Sequence, residues 1–458
     1  MLISEAQAPG KLYLAGEYAV VNPGNPALLM AVNRYVEARV SSSERWLVTS
    51  AQFSGSQVVV GGYVPDNLSF ASAALEIARN YASKVSEREV CGHVYIDSRL
   101  QSDDGTKFGL GSSAAVCVAV VRAVLAAYGV QASPVTVFKL AAAAHFLVQG
   151  NGSLGDVAAS SMGGLVYYRS LDREWLRSFV DAHTAPAQGR ASINTRTAPA
   201  VQHALGMDAG ASGLHRSSGS KLAGSPAQFA SATADYENSL YGTLLRLDTV
   251  ALVEQAWPDL VIEQVSEAAN LEIEVGWTGK PASTKALVKK AAKPVEPAKY
   301  QAFLHASARS VDALRALVSA PTGAGVRAPA GQLASVVAEL RAQLNELSAL
   351  RDVPVETDEL RLGIEIALAH GFAAKSSGAG GGDCLIALRV NPAALSNPAA
   401  LANSAKLVTD HNVTAYSHSL REAWLEAGIT PLALSLSPAH TTAASSSNFS
   451  AEGEVYDA

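Results

Sequence analysis

The sequence predicts an α+β protein, on three observations. Strand-type alternation and helix-type periodicity both occur, the two kinds are interspersed, and no regular strand–helix–strand repetition runs through the chain. Alternation is clear in Tyr35-Val-Glu-Ala-Arg-Val40 and Leu271-Glu-Ile-Glu-Val275, where every second residue suits a half-buried strand. Phe70, Ala74, Ile77, Ala78 and Tyr81 fall on one helical face. So do Leu360, Ile364, Ala367 and Leu368, with Asp358 and Glu359 complementing the N-terminal dipole and Gly371 as the stop signal.

Bulk properties narrow the class. A chain of 458 residues exceeds one typical domain, so two lobes and an insertion are expected. Hydrophobic residues make up 48% and charged residues 17%, as in an ordinary globular protein. The net charge of −6 argues against a general nucleic-acid surface, so anionic ligands must be held by local lysines and backbone amides. Met1–Gln7 carries no secretory signal, and the most apolar run is interrupted by Arg122 before it could span a bilayer. A cytoplasmic protein with no membrane partner is expected. Cys91, Cys117 and Cys384 lie far apart and form neither a disulfide framework nor a zinc spacing. Cys117 in a helix and Cys384 entering a strand read as small buried hydrophobes.

Two segments stand out as poor in core formers. The stretch from Asp181 to about Asp235 is rich in Ala, Ser, Gly, Thr and Pro, with Phe229 its one aromatic residue. It cannot bury enough apolar surface to offset its ordering entropy and reads as a mobile insertion. The tail after Pro438 is expected to be disordered. The division is thus residues 1–180 and 236–437 as lobes, 181–235 as insertion and 438–458 as tail.

The most informative segment is Lys107-Phe-Gly-Leu-Gly-Ser-Ser-Ala-Ala-Val116, a Gly-rich loop running into the apolar helix pattern Ala114–Tyr128. Glycines let backbone N–H groups turn toward an anion, and a helix N-terminus adds unpaired donors and a positive dipole end. Ser112 and Ser113 supply hydroxyls for a metal or phosphate oxygen, and Lys107 supplies full charge. The construction suits a nucleoside triphosphate. The chain has no G-x-x-x-x-G-K-[ST] loop, no complete G-x-G-x-x-G and no protein-kinase H-R-D or D-F-G set.

Two further segments accompany this loop: Ala8-Pro-Gly-Lys-Leu-Tyr-Leu-Ala-Gly-Glu-Tyr18 and Lys375-Ser-Ser-Gly-Ala-Gly-Gly-Gly-Asp-Cys384. Together the three resemble, in matching order, the motifs of the GHMP kinase superfamily. Glu17-Tyr18, Gly150-Asn-Gly-Ser-Leu-Gly-Asp156, Gly276-Trp-Thr-Gly-Lys-Pro-Ala-Ser-Thr284 and Cys384 after Gly380-Gly-Gly-Asp383 make the pattern most similar to its phosphomevalonate kinase branch. The resemblance implies a two-lobed GHMP kinase fold. Its N-terminal α/β lobe would be of ribosomal protein S5 domain 2-like type and its C-terminal lobe ferredoxin-like, with the site between them. It implies ATP and Mg²⁺ as cofactors, 5-phosphomevalonate as substrate, and a monomer or homodimer. Mevalonate kinases share all three motifs, and a catalytically silent ligand sensor could share the fold. Retention of Lys11, Lys107, Ser112 and Asp156 together argues against silence.

The resemblance also assigns roles. Lys11 would face the transferring phosphoryl group, with Asp156 beside it and Lys107 contacting phosphate. Gly109, Leu110, Gly111, Ser112, Ser113 and Ala114 would hold nucleotide, and either Ser112 or Ser113 can take the metal. Tyr18, Ser153, Ser283, Thr284, Gly378, Ala379 and Gly380 would surround the substrate, with Ser376 and Ser377 as further hydroxyl donors. Asp156 can equally N-cap the helix that follows, and the Gly378–Gly382 run can serve a strand-to-helix turn. One departure stands out: several GHMP kinases carry a metal-binding glutamate about three helical turns before the aspartate, whereas Ala144-His-Phe-Leu-Val-Gln149 has no acid and places His145 there.

Overall fold

Two long strands form the spine of the protein. In the computed structural model, which describes residues 1–53, 55, 57–59, 64–184, 240–266, 271–280, 295–319, 330–390 and 412–440, β1 (Leu2–Ala15) and β2 (Pro26–Ser42) pair antiparallel over their whole length. The C-terminal half of β2 pairs with β5 (Gly92–Ser98) and its N-terminal half with β6 (Leu165–Arg169). Beyond β5 lie β3 (Leu47–Ser50), parallel to it, and β4 (Gln57–Val59). Within Tyr35–Val40, Val36, Ala38 and Val40 are fully buried while Arg39 is exposed, as the alternation predicts.

Helices cover one face of this sheet. The apolar run after the Gly-rich loop forms α2 (Ser112–Ala127), which packs on β1 and β2 between α1 (Ser69–Val85) and α3 (Pro134–Gln149). α3 starts cleanly: the Ser133 side chain accepts from the Thr136 N–H and Pro134 occupies the first turn, where it forfeits no hydrogen bond. α4 (Gly155–Met162) and α5 (Arg173–Thr184) follow.

A second, four-stranded antiparallel sheet has the order β11–β8–β10–β9, from β8 (Leu271–Trp277), β9 (Ala373–Ser377), β10 (Cys384–Val390) and β11 (Thr430–Leu432). That fourth–first–third–second order is the ferredoxin-like arrangement. Between β8 and β9 come α8 (Pro297–Val318), α9 (Ala330–Arg351) and α10 (Asp358–Ala369); α11 (Asn412–Glu426) precedes β11. The α10 face predicted from periodicity is buried at Leu360, Ile364 and Ala367 around Trp424, whose indole N–H donates to Gly363 O at 2.9 Å. Spacing puts Leu368 on that face, but it is 46% exposed because the packed stripe stops at Ala367. The fold is thus the two-sheet α+β architecture that the sequence predicts.

The boundaries differ from the sequence reading in three places. Asp181–Thr184 completes α5 rather than opening the insertion; residues 185–235 lie outside the described residues. After 236 the chain first rejoins the N-terminal unit. α6 (Leu240–Arg246) packs on α1, α7 (Thr249–Glu254) on α3, and β7 (Val261–Val265) pairs with β6. Third, the start of the tail is docked: His440 N–H donates to Met162 O at 2.8 Å, and Arg122 Nη1 donates to His440 Nε2 at 3.0 Å. Residues 441–458 lie outside the described residues.

The two sheets are joined at β1 and β9. The Ser377 hydroxyl accepts from Tyr13 N–H at 3.0 Å and donates to Tyr13 O at 2.9 Å. Lys375, fully buried on β9, reaches Glu17 Oε1 at 2.5 Å and Ser376 O at 2.7 Å. Removing one member of such a pair strands a buried charge. We expect Lys375→Met to cost about 3–5 kcal/mol in denaturant unfolding, with part recovered on adding Glu17→Gln. A loss below about 1 kcal/mol from the single change would show that the pair is not structural.

A second expectation concerns the docked tail. Burial and then the neighbouring Arg122 lower His440 from 6.5 to about 4. The released segment therefore binds more protons than the docked one between these values, so docking is strongest above about pH 6.5 and weakens as pH falls toward 4. Hydrogen exchange of the His440 amide should accelerate over that window beyond its intrinsic pH dependence. Substituting His440→Leu should remove the excess.

Candidate active site

A cavity of about 300 Å³ opens where β1, the Gly-rich loop, α3, α4 and the β9–β10 turn meet. Of the residues singled out from sequence, Lys11, Tyr18, Lys107, Gly109, Leu110, Gly111, Ser112, Ser113, Ser153, Asp156, Gly378 and Ala379 all line it. They come from segments up to 368 positions apart (Lys11 to Ala379), so the fold alone brings them together. Ala114 instead turns into the core, fully buried. Gly380 does not line the cavity: it packs on Val355, whose carbonyl oxygen would lie 2.1 Å from an added Cβ. Ser283 and Thr284 lie outside the described residues.

The loop is built from both sides. Gly111 is the N-cap of α2 at φ 78°, a left-handed conformation that favours glycine and turns the chain into the helix. Lys11 N–H donates to Leu110 O at 2.9 Å, and its ammonium donates to Gly109 O at 3.1 Å. Lys11 is 8% exposed and sits 5.5 Å from the Tyr13 ring centroid. From the other side Asp383 lies over Gly109, where any Cβ would meet its carboxyl carbon at 2.5 Å. The Cys384 thiol donates to Phe108 O at 3.1 Å, and burial pushes that thiol up to about 12. Buried Cys117 is likewise pushed up by burial, so both thiols are the inert hydrophobes expected.

Asp156 stands in the first turn of α4, and its carboxylate accepts from the Val157 N–H at 3.0 Å. It is not the N-cap, which is Leu154 at φ 64°. No ion pair within 4.0 Å joins it to Lys11; the two flank Gly111, with Lys11 Cε and Asp156 Cβ at 3.1 and 3.6 Å from the same point above it. Lys11 is therefore anchored by the Gly109 carbonyl rather than by Asp156. Lys107 is exposed at the rim, beside the bridge it forms with Gln101.

Tyr13, Glu17 and Asp383 also line the cavity and carry weight that the sequence reading did not give them. Tyr13 OH and Ser153 Oγ lie 3.0 Å apart, and Tyr168 OH donates to Ser153 O at 2.5 Å. Burial, then the Asp156 charge, raises the Tyr13 phenol, so it stays protonated. Tyr18, at φ 61°, donates to Ala379 O at 2.5 Å and ties the N-terminal motif to the β9–β10 turn. That turn links two strands rather than a strand and a helix, and the Ser377 hydroxyl is spent on Tyr13 rather than offered to a ligand. The signal available in sequence was the adjacency of Glu17 to Tyr18 and of Asp383 to the glycine run. Pairing across hundreds of residues has no local trace.

His145 closes the floor of the cavity. Its Nε2 is 3.1 Å from Ser113 Oγ, its ring packs 4.9 Å from that of Phe70, and burial lowers its pKa against the opposing Asp156 charge. Burial thus favours the uncharged imidazole. Among the described residues no group of three His, Cys, Asp or Glu side chains forms a metal cage. A phosphate-bearing ligand would meet helix amides, two hydroxyls and two ammonium groups here, the makings of an anion site.

Comparison with known proteins agrees with this geometry. Residues 69–164 match the GHMP kinases N terminal domain and residues 333–396 the GHMP kinases C terminal domain. A phosphomevalonate kinase of Streptomyces sp. (strain CL190) is 28% identical over 93% of this chain and 95% of its own. A mevalonate kinase of Pyrococcus horikoshii is 33% identical, over 36% of this chain and 50% of its own. The Streptococcus pneumoniae phosphomevalonate kinase in complex with phosphomevalonate and AMPPNP superposes with a TM-score of 0.67 over 94% of this chain and 99% of that one, at 23% identity, a likeness of fold. With both domains matched in order on this two-sheet fold, the chain belongs to the GHMP kinase superfamily.

Proposed function

We propose that this kinase transfers the γ-phosphoryl group of ATP to the terminal phosphate of 5-phosphomevalonate, yielding 5-diphosphomevalonate for isoprenoid synthesis. The observation that carries the reading is the extent of similarity. Sequence similarity to a phosphomevalonate kinase runs through 93% of the chain, whereas sequence similarity to the Pyrococcus horikoshii mevalonate kinase covers 36%. The setting this reading assumes is a cytoplasmic monomer or homodimer; no helix among the described residues is long and apolar enough to cross a membrane.

The chemistry follows from joining two phosphates. A phosphate monoester has its second pKa near 6, so at neutral pH the acceptor oxygen is already ionised. The barrier is then repulsion between anions, and fixed positive charge lowers it. Lys11 supplies that charge, held by the Gly109 carbonyl, and among the described residues no ion pair neutralises it. Lys107 contributes at the rim, and the first turn of α2 presents its amides to the phosphates. Asp156 adds a fixed negative charge on the far side of Gly111, while the Gly109 carbonyl directs the Lys11 ammonium. Tyr13 and Tyr168 hold Ser153, and Tyr18 holds Ala379, so the acceptor end is shaped by groups locked from behind.

The donors fit magnesium. Serine hydroxyls and the Asp156 carboxylate are hard oxygens, and without a protein cage the ion would keep phosphate oxygens and waters as its other ligands. When bound, it neutralises charge on the transferring phosphoryl group.

A coupled ADP-release assay run side by side on mevalonate and 5-phosphomevalonate tests the proposal. Release is expected with 5-phosphomevalonate; release with mevalonate alone would replace it by mevalonate kinase, and none with either would leave a silent sensor. Lys11→Met and Lys107→Met should each lower kcat by about 100-fold or more, from loss of preorganised charge. A raised KM with unchanged kcat would assign that lysine to ground-state binding. Asp156→Asn should be milder than Lys11→Met, and it should leave the acidic limb of the pH–rate profile in place, since that limb reports the substrate phosphate. Loss of the limb would make Asp156 a general base.

A further inference from the structure

Arg173 opens α5 with a half-buried side chain and no ion pair among the described residues. Its two acidic neighbours in sequence are engaged elsewhere: Asp172 Oδ1 accepts from the Glu174 N–H at 2.9 Å, and Glu174 lies 3.9 Å from Arg177. Burial lowers the guanidinium from its ordinary value, yet arginine remains a cation at any physiological pH. What Arg173 holds is backbone. Nη1 donates to Gly152 O at 2.9 Å and Nη2 to Val21 O at 2.6 Å, while Nε is buried without a partner among the described residues.

The two carbonyls belong to separate walls of the cavity. Val20 and Val21 line it from the single helical turn after Tyr18, and Gly152, Ser153 and Leu154 line it from the loop between α3 and α4. That loop has no regular structure to keep it in place, since Gly150, Gly152 and Leu154 all stand at positive φ. Side chains hold it instead, by three consecutive carbonyls: Gln149 Nε2 donates to Asn151 O at 3.1 Å, Arg173 to Gly152 O, and the Tyr168 hydroxyl to Ser153 O. The amides of Gly152, Ser153 and Leu154 have no acceptor among the described residues. The carbonyl side of the loop is thus spent on protein, and its donor side is left for an anion. Of the three side chains that grip these carbonyls, Arg173 alone also grips a second wall. Its planar fork fixes both donors in one rigid group, so guanidinium geometry sets the distance from Val21 to Gly152.

We propose that Arg173 is a positioning residue that sets the width of the cavity at its acceptor end, by tying the Val21 turn to the Gly150–Leu154 loop, and so governs affinity for the phosphorylated acceptor. The inference rests on the substrate reading above. It assigns a role in acceptor binding to a side chain that acts only through backbone groups of the cavity wall.

Steady-state kinetics test it, with ATP and 5-phosphomevalonate each varied at saturation of the other. Arg173→Gln should raise the acceptor KM by about 10-fold or more, the worth of at least one hydrogen bond from a charged group, and lower kcat by less. The KM for ATP should stay within about 2-fold of the unsubstituted value, a split that general loosening of the protein would not produce. Arg173→Lys keeps the charge but not the fork, so it should share most of the acceptor defect; if Arg173→Gln does not fold, this variant decides. Arg177→Gln, which removes an exposed charge from the same helix, should leave both KM values unchanged. Methylguanidinium added to Arg173→Ala should lower the acceptor KM again. An unchanged acceptor KM in Arg173→Gln or Arg173→Lys, or an equal rise in both KM values, would overturn the inference alone. Turnover of mevalonate only by the unsubstituted protein would overturn the proposed acceptor, and the same split measured on mevalonate would then decide for or against Arg173. Turnover of neither would overturn the function and this inference with it.

Discussion

The contact on which the rest depends is the buried pairing of Lys375 with Glu17. Neither side chain has access to water to speak of, so each is viable only while the other is in place. Lys375 stands at the centre of β9 and Glu17 just past the end of β1, so satisfying two charges fixes one sheet against the other. Everything that lines the cavity then follows in register. Ser377 closes on the backbone of Tyr13, Tyr18 on Ala379, and Asp383 settles over Gly109. A site assembled from four distant segments needs some element that sets their mutual distances, and hydrophobic packing alone is too permissive in direction to do it.

The Gly-rich loop shows the same economy. Lys11 serves twice: its backbone and ammonium hold the Leu110 and Gly109 carbonyls, and that grip leaves its charge pointing along the cavity. Glycine is required at 109 because a carboxylate from the other sheet occupies the space a side chain would take, and at 111 because the turn into α2 is left-handed. Crowding dictates the first of these glycines and backbone handedness the second.

Much of this was legible in the sequence. Period-two alternation located β2 and β8, period-3.6 stripes located α1 and α10, and the three glycine-bearing motifs supplied residues that converge on one cavity. These signals are local, set by backbone geometry within a dozen residues. What escaped was non-local. The return of residues 240–265 to the first sheet depends on β6 having a free edge for β7, which no feature of Val261–Val265 announces. The docking of His440 depends on a buried guanidinium on α2, and the anchoring of Lys11 on a carbonyl 98 residues away. Leu368 fits its helical stripe by spacing and is exposed all the same, because stripe width is set by the partner surface rather than by the helix.

The stitching of β1 to β9 has a mechanical consequence. A two-unit enzyme is commonly imagined to admit its substrates by swinging its halves apart, yet here the seam between sheets is closed by an ion pair and reciprocal hydrogen bonds beside the cavity. Opening along that line would break every one of them at once and dismantle the cradle. Compliance has to reside at the rim, where the Gln101–Lys107 hairpin stands at the surface, its hydrogen bonds local to the turn, and its lysine faces water. The back of the cavity behaves as an anvil, and whatever closes over a bound ligand must come down from the front.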